Sequence, residues 1–111
     1  MHEMALTQGI VTLCEQHAAG RPVRIVVVEI GELSGVVPEA VAFCFEACSS
    51  GTLLEGSRLQ IEQVPGRGRC QECRHEQSVQ RLYDPCTACG SYLLQVVSGE
   101  ELRVREIEVD D

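Results

Sequence analysis

The chain has 111 residues, a formal net charge of −8 and seven cysteines, which suits one small domain or a domain carrying a small insert. With no Trp, two Phe and two Tyr, Leu, Ile, Val, Ala and Cys must fill a thin core, because a chain this short buries only roughly 60–70% of its unfolded surface. The negative charge disfavours nucleic acid, no apolar run approaches the roughly 18 residues that span a bilayer, and no basic-then-apolar leader opens the sequence, so a cytoplasmic protein with no membrane association is expected.

In chain order, residues 4–19 predict an amphipathic helix. Leu6, Ile10, Leu13, Cys14 and His17 recur at spacings of three and four, and Gly20 with Pro22 stops it. Residues 23–30, Val-Arg-Ile-Val-Val-Val-Glu-Ile, are β-branched and continuous, the pattern of a well-buried strand. Gly31 to Gly35 is a turn. Pro38 and Glu39 suit the first turn of a second helix, whose Val41, Cys44, Phe45 and Cys48 form one stripe and which closes at Ser49-Ser50-Gly51. From Arg58 to Val64, Leu59 and Ile61 alternate with polar neighbours as in a half-buried strand.

Pro65-Gly66-Arg67-Gly68-Arg69 then reads as a Gly/Pro hinge into a cysteine-rich segment that runs to about residue 100. A last strand, Leu102 to Val109, changes phase between Val104 and Ile107, as a β-bulge or a change of buried face would produce. The expected fold is α+β: two helices on a three-stranded, mostly antiparallel sheet, with an inserted four-cysteine, zinc-ribbon-like subdomain. The expected domains are 1–65, completed by the C-terminal strand 101–111, and 66–100.

Cys70-Gln71-Glu72-Cys73 and Cys86-Thr87-Ala88-Cys89 are two C-x2-C pairs twelve residues apart. Each pair offers two thiolates from one tight turn, and two turns complete a sulfur tetrahedron around Zn(II). Cysteines in a reducing compartment bind metal more often than they pair, and an odd count argues against a full disulfide framework. A redox dithiol wants a single C-x-x-C beside a βαβ unit, whereas iron also accepts four sulfurs. Four protein ligands leave no open position for catalysis, so the metal is structural.

Met1-His2-Glu3 can chelate one ion through the α-amine, the backbone nitrogens of residues 2 and 3 and the His2 imidazole. Ni(II) and Cu(II) favour such planar nitrogen sets. The plain alternative is a solvated terminal histidine, and these three residues alone leave both open. The bulk of His2 disfavours removal of Met1. His17, near a helix C-terminus, suits a dipole contact or solvent. His75, two residues past Cys73, is a candidate to support the cysteine ligands, face solvent or join a transferred metal. Cys14, Cys44 and Cys48 sit on apolar helix faces and are expected to pack as small hydrophobes. Cys44 and Cys48, one turn apart, could also hold a soft metal.

Taken together, Met1-His2-Glu3, Glu29-Ile30-Gly31-Glu32-Leu33-Ser34-Gly35-Val36, Pro38-Glu39, Phe43-Cys44-Phe45-Glu46, the two C-x2-C pairs and Cys89-Gly90-Ser91 resemble, in order and spacing, the HypA/HybF family of hydrogenase nickel-incorporation proteins along nearly the whole chain. The resemblance implies a nickel metallochaperone and not an enzyme. It implies a nickel site at His2 with the Met1 amine and the backbone nitrogens of His2 and Glu3, and zinc at Cys70, Cys73, Cys86 and Cys89. It also implies a HypB-type GTPase partner, delivery to the large subunit of [NiFe]-hydrogenase and in some organisms to urease, and a monomer or homodimer. Thr87 departs from a position where the family often has proline, which loosens a turn preference but keeps all four thiolates. The rival expectation is a zinc-ribbon protein-interaction module without nickel delivery.

Overall fold

A computed structural model describes the chain from His2 to Asp110; Met1, Asp111 and the side chain of His2 lie outside the described part. The order is α1 (His2–Ala18), β1 (Val23–Gly31), α2 (Pro38–Ser49), β2 (Arg58–Val64), β3 (Arg67–Cys70), β4 (Glu76–Ser78), β5 (Leu94–Ser98) and β6 (Leu102–Val109). The chain forms two compact units. One comprises Met1–Glu29, Val36–Glu62 and Arg103–Asp111, and the other Ile30–Gly35 and Gln63–Leu102.

In the helical unit, β1 lies between β2 and β6. The nearly unbroken run Val26, Val27, Val28 is buried, as befits a central strand covered on both faces. The Ser57 hydroxyl donates to the Val23 carbonyl, and Glu32 N–H donates to the Val64 carbonyl, so β1 and β2 run the same way. A helix between two strands permits that parallel pairing. Asp110 N–H bonds Pro22 O, and Gly31 N–H bonds Glu101 O, so β6 is antiparallel to β1 and the sheet is mixed.

The helix α1 begins at His2 rather than residue 4, and ends at Ala18, where Ala19 (φ 55°) and Gly20 (φ 83°) turn left-handed. Its buried face is Thr7, Ile10, Val11, Cys14 and Ala18, rotated from the stripe expected. Thr7, Val11 and Ala18 are small enough to let α1 approach its neighbours closely. Leu13 is 43% exposed and His17 is exposed; both face a groove shared with Val104 and Ile107 of β6. The helix α2 follows expectation, with Val41, Cys44, Phe45 and Cys48 buried and Pro38 at its first turn. Cys14, Cys44 and Cys48 are all buried. Along β6, exposure of Arg105 and Glu106 separates half-buried Val104 from half-buried Ile107, which is the expected phase slip.

The cysteine unit holds a second sheet, with β3 between β4 and β5, both antiparallel to it. Residues 65–69, expected as a hinge, fall inside the second unit, Gln63–Leu102. Gly66 is locked, since its N–H bonds the Glu32 carboxylate at 3.0 Å and its carbonyl receives Val79 N–H at 2.9 Å. Arg67 then opens β3. The glycines serve close approach. A Cβ on Gly66 would meet Val79 O at 2.2 Å, and one on Gly68 would meet Val79 Cγ2 at 2.7 Å. Val79, 2% exposed, is thus a core residue of this unit because Gly66 and Gly68 beside it carry no side chain.

Candidate metal centre

Two matching backbone turns build the four-sulfur site. In the first, Arg74 N–H donates to Cys70 O at 2.9 Å and Cys70 N–H donates to His75 O at 2.9 Å. In the second, Gly90 N–H donates to Cys86 O at 2.8 Å and Cys86 N–H to Ser91 O at 2.7 Å. The residue after each pair is left-handed, Arg74 at φ 65° and Gly90 at φ 78°. Glycine takes that conformation without strain and arginine does not.

The turns bring together all four predicted cysteines. Their ligand atoms lie within 4.8 Å of one another, with Cys70 to Cys89 and Cys73 to Cys86 both at 3.6 Å. Sulfurs at about 2.3 Å from a tetrahedral zinc stand about 3.8 Å apart, so the donor set fits Zn(II). Cys70 and Cys86 are buried while Cys73 and Cys89 reach the surface.

The electrostatics also call for a cation. The Cys73 N–H aimed at Cys70 Sγ, 3.5 Å away, is the main cause that lowers the Cys70 thiol to about 6, against the opposing effect of burial. Burial raises Cys86, but the N–H groups of Cys89 and Ala88 and the neighbouring thiols bring it below its ordinary value. For Cys89 the Ser91 N–H lowers the pKa, yet burial and the other three sulfurs outweigh it and push it up to about 12. Cys73 follows the same logic: the His75 N–H lowers it, whereas burial and the sulfurs of Cys86 and Cys70 leave it raised. The first cysteine of each pair is thus lowered and the second raised, since the four clustered thiols compete to ionise. Only a bound cation makes four thiolates compatible.

Residues that the sequence did not single out brace this site. The Gln77 carboxamide spans from β4 to the second turn, donating to Pro85 O at 3.1 Å and accepting Thr87 N–H at 2.9 Å. Thr87 uses an amide hydrogen that a proline would lack. Its hydroxyl also lies 3.3 Å from His75 Nε2, so His75 meets the second cysteine turn through Thr87. Asp84 accepts Gln80 and Arg81 N–H groups at 3.0 and 3.2 Å, closing the loop between the pairs. Only the Asp-Pro dipeptide hinted at that turn.

The other predicted site falls at the edge of the described residues. Met1 and the His2 side chain are outside them. Backbone at His2 and Glu3 belongs to the first turn of α1, and Glu3 O accepts the Thr7 hydroxyl at 2.5 Å. Among the described residues the four cysteines are the one group of three or more His, Cys, Asp or Glu donors close enough to share an ion, and no helix is long and apolar enough to cross a membrane.

Over residues 1–109 the chain matches the protein family described as "Hydrogenase/urease nickel incorporation, metallochaperone, hypA". Proteins named "Hydrogenase maturation factor HypA" from Geobacter metallireducens and Geobacter sulfurreducens are each 61% identical over 110 residues, covering 99% of this chain and 100% of the relative. The solution structure of the Ni metallochaperone HypA from Helicobacter pylori is similar with a TM-score of 0.69 and 27% identity, covering 98% of this chain and 97% of that one.

Proposed function

Because this chain belongs to the HypA family of hydrogenase and urease nickel-incorporation metallochaperones, we propose that it carries Ni(II) as cargo on its N-terminus and delivers it during [NiFe]-hydrogenase maturation. It is a maturation factor rather than an enzyme. The donors are the Met1 α-amine, the backbone nitrogens of His2 and Glu3 and the His2 imidazole. The observation that carries this reading is the family match, which begins at residue 1 and so takes in Met1-His2-Glu3.

Helix chemistry supports the donor set. The N-terminus of α1 carries the positive end of the helix dipole, which opposes a bare dication and favours ionised groups. Nickel is therefore held once the two amide nitrogens have lost their protons, and protonation reverses the binding. A cargo site with that reversibility is suited to release by stepwise ligand exchange, one donor displaced at a time. Cys70, Cys73, Cys86 and Cys89 hold a resident Zn(II) in a closed sulfur set, whose contribution is to fold the unit that carries it. The cargo and zinc residues thus fall in the two domains, 1–65 with 101–111 and 66–100.

The proposed partners are a HypB-type GTPase and the large subunit of [NiFe]-hydrogenase, with urease a further recipient, and the proposed quaternary state is a monomer or homodimer. Seven unpaired cysteines suit the reducing cytoplasm. Isothermal titration of untagged protein tests the cargo site. His2→Ala is expected to abolish nickel binding while zinc content and circular dichroism stay unchanged. Unaltered nickel affinity in that variant would leave a zinc-ribbon interaction module without cargo.

A further inference from the structure

Within the helical unit, two sulfur side chains meet between α1 and α2, and a third lies one turn away on α2. Cys48 Sγ lies 3.4 Å from Met4 Sδ and 3.9 Å from the Met4 carbonyl oxygen. Cys44 is one turn earlier on the same face of α2 and lines one cleft with Met4 and Phe43. Cys44 and Cys48 are 8% and 7% exposed, whereas Met4 is 46% exposed, so the sulfurs can be approached from solvent along the Met4 side chain.

We propose that Met4, Cys44 and Cys48 form a further metal site, for a soft monovalent cation of the Cu(I) class held by two thiolates and one thioether. Packing accounts for the two thiols, which complete the buried stripe of α2. It does not require a half-exposed thioether to touch one of them from another helix. Two sulfurs sharing an ion at about 2.3 Å each stand at most about 4.6 Å apart, and the observed 3.4 Å falls inside that span. The donor chemistry selects the ion. Thiolate and thioether ligands are soft and favour Cu(I), while a structural zinc site wants four ligands. No His, Asp or Glu completes a group of three or more donors here among the described residues.

Burial, and then the neighbouring Cys44, raise the Cys48 thiol, so Cys48 keeps its proton until an ion arrives. Binding breaks two S–H bonds, forms two S–Cu bonds and releases two protons. Copper remains monovalent throughout, and no electron is transferred. The bound ion would fasten the first turn of α1 to α2.

The test uses untagged, zinc-loaded full chain under anaerobic conditions, with Cu(I) supplied against a competing bathocuproine chelator. The expected result is a single equivalent of copper retained with zinc content unchanged by mass spectrometry, and retention that rises with pH. Cys48→Ala should lose the retained copper. Met4→Leu, at a half-exposed position and with volume preserved, should weaken retention without affecting the fold. Copper that enters only as zinc leaves, or that is retained equally by wild type and Met4→Leu, would overturn the site.

Discussion

Alanine at the buried Gly31 should destabilise the protein more than alanine at any exposed glycine, and Gly9→Ala should do the reverse. A Cβ on Gly31 would stand 2.0 Å from Gly99 O, 2.2 Å from Gly99 C and 2.8 Å from Glu100 N. These are backbone atoms, so no rotamer change relieves the overlap. The turn at 99–101 must move, and it receives Gly31 N–H at Glu101 O and Leu33 N–H at Gly99 O, each at 2.7 Å. Each of those bonds contributes about 0.5–1.5 kcal/mol net, and overpacking adds about 1–3 kcal/mol. The sum is about 2–6 kcal/mol, which marks a specific defect rather than an ordinary substitution. Gly9, inside α1, has nothing within 4 Å of an added Cβ and no left-handed φ, so alanine there should stabilise by about 0.5–1 kcal/mol through helix propensity. Urea unfolding of the zinc-loaded protein reads both. With a slope of about 1–3 kcal/mol per molar urea, Gly31→Ala should lower the midpoint by at least about 0.7 M, and Gly9→Ala should raise it slightly. Equal midpoints for Gly31→Ala and wild type would refute the steric argument.

Arg74, left-handed where the matching turn has Gly90, should be improved by Arg74→Gly. The expected gain is about 1 kcal/mol, read as a higher urea midpoint, with Gly90→Ala showing the opposite sign. Burial pushes the Cys14 thiol up from 9.0 to about 11, so the folded state holds a proton that the unfolded chain releases. That contribution is whole below about pH 9 and fades as pH climbs through about 11. Cys14→Ala should flatten this part of the alkaline loss of stability, measured as urea midpoint against pH. Stripping the metal with a strong chelator should abolish amide-exchange protection in β3, β4 and β5 while Ile10, Val11 and Cys14 of α1 remain protected. Equal protection of β3 before and after would show that the four thiols need no ion to hold the unit.

Much of this architecture was legible because its signals are local. The β-branched run at 23–30, the Pro38 start and the Val41–Cys48 stripe each point to one element, and the cysteine spacing points to one site. What the sequence hid was decided by contacts between distant segments. Glycine at 66 and 68 has the composition of a hinge, yet Val79, thirteen residues beyond Gly66, fills the space where their side chains would stand. Periodicity placed Leu13 and His17 on the buried face of α1, but hydropathy does not report how closely a neighbour approaches, and the smaller Thr7, Val11 and Ala18 won that face. Gln77 and Thr87 gave no signal, since a carboxamide that bridges two turns has no sequence spacing of its own. The Met4–Cys48 contact likewise joins residues 44 apart in the chain.

The most direct test of nickel carriage is equilibrium dialysis of Ni(II) against the untagged chain and against the same chain with two residues added before Met1. The extension leaves the His2 imidazole and the four cysteines intact and removes only the α-amine from the donor set. Loss of tight nickel binding in the extended chain, with zinc retained, is the result predicted. Equal nickel binding by both chains would contradict an N-terminal cargo site.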